Sequence, residues 1–548
     1  MSVRKIPILI SGGGSVGLSL AAELGWRNVD CLVLEKMDGL NMHPRANAVA
    51  NRTMEYYRRW GIDEAISDAG VPPDLPANYF YVSSLAGRML HGINLPPFRE
   101  LNKLAAKGGY AASEHSWSPY LKTITGQHEV EKVLLDYVQG QDSLDFRFGW
   151  ELRSFEETED GVLCRIGQTG SDQDEQVLCD YLVGCDGGRS MVRRDLGIGL
   201  KGRSDLAAFV SFYFRAPELM QCHDFGHANI FFPLHKDHRG FLLNWDGGTT
   251  FTYHVILNDG EDWQDVDPVA AIHGLVGQET PVEVISTQPW TAHALVAEQY
   301  RKGRVFLAGD AAHLFTPTGG FGMNTGVSDA IDLAWKLQAN LEGWGGPGLL
   351  ESYETERQPI GVRNTSEAAD CFDRLFSVMQ EGDALDDNGP EGEEVRSRLK
   401  GLIESQEKLI VSSGTLLGYR YNNSGIVISD GSPEPEDHPR NYVPTARPGH
   451  RAPHLWLDDG SSILDHFGAG FTLLVFAAAE DEAALAAVQE AARDKAMPMK
   501  TVLVREEAAA AVYGSNYALI RPDLMVAWRG DGFPEDCRAL LDTVCGNF

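Results

Sequence analysis

Three short runs in this chain carry residues suited to one chemistry. Gly12-Gly13-Gly14-Ser15-Val16-Gly17 places glycines at the three positions of a G-x-G-x-x-G loop. Gly12 permits the tight turn, Gly14 lets backbone approach a pyrophosphate, and Gly17 permits close helix–strand packing. The helix N-terminus that follows supplies amides and partial positive charge to a phosphate. Glu35 stands 18 residues past Gly17, at the end of the next apolar run, where a carboxylate can accept ribose hydroxyls. The loop alone does not separate NAD from FAD. The run Gly303-Arg-Val-Phe-Leu-Ala-Gly-Asp-Ala-Ala-His313 does. A strand there delivers Gly309 and Asp310 to its carboxyl end, where Asp310 can hold a ribityl hydroxyl. Pro317-Thr318-Gly319-Gly320-Phe321-Gly322-Met323-Asn324 then opens a helix. Its glycines let backbone lie against a flat ring, and its N-terminus faces the flavin N1/O2 edge. Between the two lies Cys185-Asp186-Gly187-Gly188-Arg189-Ser190. The order, phosphate loop then D-G step then G-D step, predicts one FAD wrapped by a discontinuous domain.

The elements that position these runs are legible in outline. Ile6–Ile10, the glycines, Val16–Leu24 and Cys31–Leu34 make a strand–loop–helix–strand unit, as parallel βαβ pairing requires. Thr53–Trp60 reads as a helix closed by Gly61, and Gln127–Tyr137 as another. Residues 78–110 read as short strand-like pieces. Leu144–Ile166 alternates like two antiparallel strands about Glu159-Asp160-Gly161, and Asp180–Gly184 as a buried strand. Val210–Arg215, Ala228–Phe232, Gly240–Trp245 and Thr250–Val255 are aromatic and β-branched runs broken by turn residues, which predict an inserted antiparallel sheet. Val327–Leu337 has helical apolar spacing through Val327, Ala330, Ile331, Ala334 and Leu337. Tyr353–Ile410 reads as helical apart from an acidic loop at Glu381–Glu394. Six prolines in 430–453 mark a linker. Beyond it, Phe471–Phe476, Glu482–Ala496, Thr501–Val504 and Leu524–Trp528 predict a small α/β domain.

The expected division is therefore an FAD-binding domain at 1–78, 104–200 and 295–375, and an antiparallel-sheet substrate domain at 79–103 and 201–294. A helical connector spans 376–429, the linker 430–453 and the last domain 454–548. The fold class is α/β.

Composition narrows the partners. The chain has 548 residues, 43% of them hydrophobic, enough for several domains and a large core. A net charge of -31 and a pI near 4.9 argue against nucleic acid or an anionic membrane as partner. Eight cysteines have neither CxxC nor zinc spacing, so no metal site and no disulfide framework are expected. With no signal-peptide pattern and no long apolar run, a cytoplasmic location is the expectation.

At this point the chain resembles the FAD-dependent aromatic hydroxylases, the single-component phenol-type flavoprotein monooxygenases. Residues 1–370 carry most of the likeness. The remainder is similar to members ending in a thioredoxin-like domain, here without CxxC. Asp186-Gly187-x-x-Ser190-x-x-Arg193 matches the family's D-G motif, associated with FAD and nicotinamide binding. Pro44-Arg45-Ala46 matches the arginine beside the flavin, and Gln127 with Glu131 a helix start whose glutamine contacts FAD. Leu350–Arg357 matches the segment after the G-D helix.

The resemblance implies that NADPH or NADH reduces FAD, that O2 forms a flavin C4a-hydroperoxide, and that this hydroxylates a phenolic or polycyclic aromatic substrate. It needs no protein nucleophile. Arg45, Pro317 and Gly320 are then the expected catalytic groups. Expected cofactor contacts are Gly12, Gly14, Ser15, Val16, Gly17, Glu35, Lys36, Arg45, Gln127, Leu152, Asp186, Gly309, Asp310, Pro317, Gly320, Gly322, Met323 and Asn324. For Arg189, Arg193 and Arg194, solvation of a helix face is an equal alternative to a ligand role. Tyr213, Phe232, Trp245, Tyr253 and His223 are the expected substrate contacts. Phe212, His227, His254 and His293 also lie in the right region. A homodimer contacting through the last domain is a further expectation. Two other functions stay open: Baeyer–Villiger insertion or epoxidation on the same fold, and a non-catalytic FAD-binding scaffold.

Overall fold

The computed structural model describes residues 3–97, 117–235, 237–379, 385–404, 412–476 and 481–548. Its first sheet is built around strand Arg4–Ser11, which pairs in parallel with Cys31–Glu35 on one side and Asp174–Gly184 on the other. Leu144–Phe148 extends it past Cys31–Glu35, and Val305–Leu307 extends it past Asp174–Gly184, both in parallel. Ile8, Leu9, Ile10, Leu32, Val33, Leu182 and Val183 are fully buried. Their continuous apolar runs suit a parallel sheet covered on both faces. One sheet thus gathers strands from 4–35, 144–184 and 301–307, which makes this domain discontinuous in sequence. The stretch read as two antiparallel strands divides differently. Leu144–Phe148 belongs to the parallel set, and only Trp150–Thr158 and Gly161–Gln168 form an antiparallel hairpin.

The second sheet orders its strands as His313–Leu314, Glu283–Ala297, Leu200–Arg215, Thr250–Ile256, Gly240–Asn244, Ile230–Pro233, Tyr79–Val82 and Met89–Ile93. Pairing is antiparallel except between Ile230–Pro233 and Tyr79–Val82. One face packs Phe212, Phe214, Phe251 and Tyr253 with helix Pro268–Val276. The expected strand pieces at 98–110 lie outside the described residues.

Helix Gly322–Leu341 is longer than its apolar spacing predicts and has no solvent face: Asp329, Asp332 and Lys336 are as buried as Val327 and Ile331. Helix Pro347–Met379 follows. The expected acidic loop is shorter at its far end, since helix Pro390–Glu404 begins within it. Residues 380–384 and 405–410 lie outside the described residues. Residues 430–453 hold no helix or strand, as six prolines dictate, yet their end is packed: Arg451 is buried against Glu55 at 2.5 Å.

The C-terminal sheet orders Met499–Val504, Phe471–Phe476, Tyr517–Ile520 and Val526–Gly530, the first pair parallel and the rest antiparallel. Helices Glu482–Asp494, Glu507–Tyr513 and Cys537–Val544 accompany it. It docks on the first domain through Phe471 against Trp335 and through Arg521, which is fully enclosed by Glu356, Asp332 and Asp523. No helix among the described residues is long and apolar enough to cross a membrane.

Candidate active site

The glycine loop is sterically obligatory. Gly12 has φ +112°, and a Cβ there would stand 2.3 Å from the Cys185 carbonyl oxygen. A Cβ on Gly17 would stand 1.9 Å from the Gly12 carbonyl oxygen. Only glycine allows the loop, the D-G step and helix Ser15–Trp26 to approach so closely. That helix has no acidic residue in its first turn and no capping side chain of its own. Glu131 reaches in from helix Gln127–Gln139, its Oε1 accepting from the Ser15 amide at 3.0 Å, the Ser15 hydroxyl at 2.7 Å and Gln127 Nε2 at 2.7 Å. Glu35 accepts from the Gly13 and Met37 amides at 2.8 and 2.9 Å. It therefore braces the loop as well as standing at the expected ribose position.

The D-G step is also a clamp. Asp186 Oδ2 accepts from the Met191 and Val192 amides, while its buried Oδ1 has no partner among the described residues. Arg193 is buried rather than spread over a helix face. Its guanidinium donates to the Ala311 and Gly188 carbonyls, tying the D-G loop to the G-D turn.

A single cavity of about 1170 Å³ runs between these loops and the second sheet. Gly12, Gly14, Ser15, Val16, Glu35, Lys36, Arg45, Gln127, Leu152, Asp186, Asp310, Pro317, Gly320, Gly322 and Met323 all line it. Three expected contacts do not. Gly17 lies behind the loop. Gly309, at φ +61°, packs on Val16. Asn324 spends its amide on Ala50, Thr53, Ala48 and Gly320, locking the flavin-side turn to strand Ala48–Val49.

Gly319 and Gly320 sit at φ +78° and +67°, a cradle of bare backbone beside Pro317. Arg45 opens to the cavity with no carboxylate bonded to it among the described residues. Asp310 also faces the cavity and is exposed there. Desolvation by the loops around it raises its pKa, and attraction to His313 and Arg45 offsets part of that rise. A glycine loop at a helix start, a bare-backbone cradle and an orphaned carboxylate oxygen on Asp186 fit an FAD.

The far wall is apolar: Tyr79, Ile230, Phe232, Phe241, Leu243 and Leu375. Of the expected substrate contacts, only Phe232 is there, stacked on Tyr81 at 4.7 Å. Tyr253 is on the other face of its strand, fully buried, donating to the His238 carbonyl. Phe212 lies in the same cluster. Trp245 donates to Thr252 and packs edge-on to His128. Tyr213 stands one layer behind the wall, against His43 and His128. His223 stacks on Phe225 away from the cavity. His227 and His254 are held by Pro76 and Ser211, whereas His293 does line the cavity.

Two cavity residues went unread in the sequence. His43 and His128 are 6% and 5% exposed and both line the cavity. His43 Nδ1 is bonded to the Ser286 hydroxyl at 2.8 Å, and its Nε2 has no partner among the described residues. Burial, then Arg45 and His128, push the His43 pKa down to about 4, so the ring is neutral at physiological pH. Their only signal was adjacency: His43 precedes Pro44-Arg45-Ala46, and His128 follows Gln127.

Comparison with known proteins matches this geometry. Residues 5–368 match the family model described as FAD binding domain, and residues 445–547 match the model for the aromatic-ring hydroxylase C-terminal region. The chain is 31% identical to aklavinone 12-hydroxylase RdmE of Streptomyces purpurascens, over 99% of each chain. Among solved structures it is similar to RebC with bound 7-carboxy-K252c, at TM-score 0.88 and 35% identity over 100% of both chains. It is also similar to a ternary complex of aklavinone-11 hydroxylase with FAD and aklavinone, at TM-score 0.83 and 30% identity over 100% of both. This chain belongs to the FAD-dependent aromatic hydroxylases and is a flavoprotein monooxygenase.

Proposed function

We propose that the protein is an NADPH- or NADH-dependent hydroxylase of a phenolic, polycyclic aromatic molecule. The observation that carries this is one cavity joining the phosphate loop, the Pro317–Gly320 backbone and a wall of flat apolar side chains. The relatives named for aklavinone support a fused-ring substrate over a single phenol, and a volume near 1170 Å³ has room for cofactor and fused rings together.

When bound, FAD supplies the redox chemistry, taking a hydride from the nicotinamide and, once reduced, activating O2 for transfer of one oxygen atom. The chain's own residues bind, orient and exclude water. Val16 offers its amide to the pyrophosphate, Glu35 an acceptor to the ribose, and Asp310 an acceptor to a ribityl hydroxyl. Arg45 supplies a fixed positive charge at the ring. Pro317, Gly319 and Gly320 present backbone where oxygen transfer occurs without adding an acidic side chain. Phe232, Phe241, Leu243 and Tyr79 hold the substrate over that edge and keep water from it. His43 Nε2, on a neutral ring and unpartnered among the described residues, offers a hydrogen bond to a substrate hydroxyl, accepting when Nδ1 donates to Ser286 and donating when it does not. The division into a discontinuous FAD domain, an inserted sheet and a thioredoxin-like C-terminal domain is part of the same reading.

The test is oxidation of NADPH and NADH by the purified yellow protein across simple and polycyclic phenols, with peroxide measured in parallel. Stimulated oxidation with little peroxide and a product one oxygen heavier supports the proposal. No stimulation by any phenol overturns it.

A further inference from the structure

Asp310 rides on a single turn, Gly309–Ala311, between a three-residue strand and a two-residue one. Its anchor lies beneath it. Asp329, fully buried on helix Gly322–Leu341, accepts at Oδ2 from the Gly309 amide at 3.2 Å and from His313 Nε2 at 2.6 Å. One oxygen therefore grips the chain immediately before Asp310 and three residues after it. The other oxygen accepts from Arg357 Nε at 2.8 Å. Arg357 in turn donates to the Thr325 carbonyl and to the Tyr421 hydroxyl. Burial alone would raise the Asp329 pKa, but His313 and Arg357 together hold it below the usual carboxylate range. The anchor is thus a charged carboxylate bonded on every side. It also accounts for the histidine that closes the Gly-Asp-Ala-Ala-His run.

We propose that Asp329 and His313 are positioning residues for the flavin: they fix the Gly309–Ala311 turn so that Asp310 meets the cofactor. This rests on the reading of Asp310 as a flavin contact, and it predicts coupling between residues that never touch the ligand and one that does. Replacing Asp329 strands the Arg357 charge in the core, so Asp329→Asn is expected to misfold. His313→Leu is the cleaner probe. It removes one of the two grips that Asp329 has on the turn and leaves the Asp329–Arg357 pair and the Arg193 donation to the Ala311 carbonyl in place.

The experiment uses the purified holoenzyme. FAD release is read from recovered flavin fluorescence on dilution, together with the bound-flavin absorption spectrum and the thermal midpoint. His313→Leu is expected to raise the FAD Kd about tenfold, the effect of losing one hydrogen bond to a charged group, and to shift the spectrum. His313→Gln, which keeps a donor toward Asp329, should stay within about twofold of the parent. The Asp310→Asn/His313→Leu double variant should bind no more weakly than Asp310→Asn alone, because the histidine acts through the aspartate. A lower thermal midpoint with unchanged Kd and spectrum in His313→Leu would overturn the inference, as would effects that multiply in the double variant. An unchanged Kd in Asp310→Asn overturns the Asp310 reading itself and this route with it. Failure to hydroxylate any aromatic bears on the substrate proposal alone, since these measurements need no turnover.

Discussion

Residue by residue, the site depends on where side chains are missing as much as on where they stand. Gly12→Val puts branched carbon into the Cys185 carbonyl, 2.3 Å from where its Cβ would lie. The variant is expected to purify colourless, and added FAD should not restore the flavin spectrum. Arg45 makes the opposite case. It is exposed to the cavity and has no carboxylate bonded to it among the described residues. Arg45→Ala should stay yellow while its coupled turnover falls on the order of 100-fold, the usual loss for one electrostatic stabiliser; flavin content against NADPH-dependent product formation checks both halves. Gly12 was readable because glycine spacing is a local signal, whereas Arg45 came only with the family resemblance at Pro44-Arg45-Ala46. The substrate wall was not. Strand alternation says that neighbouring side chains face opposite sides, but not which side holds the cavity. Phe232 therefore fell on it, while Tyr253 turned into the core with Phe212.

For the elements, periodicity found nearly every strand of the parallel sheet, because buried strands read as unbroken apolar runs. It said nothing of the polar side of helix Gly322–Leu341, which carries Asp329, Asp332 and Lys336 into buried ion pairs. Charged residues lie there because helix Pro347–Met379 and the C-terminal domain bring their partners, which no local pattern announces. The short helix Met191–Asp195 shows the reverse, a local feature with a structural duty. Asp186 caps its first amides, so Asp186→Ala should lower stability by about 1 kcal/mol in denaturant unfolding. Asp186→Asn, keeping one acceptor, should recover part of that.

Across the whole molecule, the C-terminal domain is bolted to the flavin domain by charge. Arg521 meets Glu356 at 2.5 Å and Asp332 at 3.0 Å with no exposure. Attraction to Arg521 and Lys336 outweighs burial and holds the Glu356 pKa near 2. Arg521→Met leaves three carboxylates with one lysine, and is expected to cost about 3–5 kcal/mol, seen as a lower urea midpoint. Buried histidines set the acid limb of stability. Burial, with neighbouring positive charge, puts His43 and His450 at about 4 and His254 at about 3, against 6.5 when unfolded. Below pH 6.5 the unfolded chain takes up protons that the native protein refuses. Stability should therefore be flat above pH 6.5 and fall steadily as pH drops toward 4. Urea midpoints across pH 4–8 would show this, and His43→Gln with His254→Gln should flatten the slope.

What the sequence by itself determined is the cofactor half. A phosphate loop, a D-G step and a G-D step announce their geometry through glycine, proline and aspartate within a few residues. Their backbone demands are local, so order and spacing suffice. Only the tertiary structure decided the rest. It chose the sheet face that walls the cavity, brought His43 from a loop and His128 from a helix start to it, and paired Asp329 with His313 and Arg357. Each of those depends on distant segments meeting, and the composition of either segment alone carries no record of its partner.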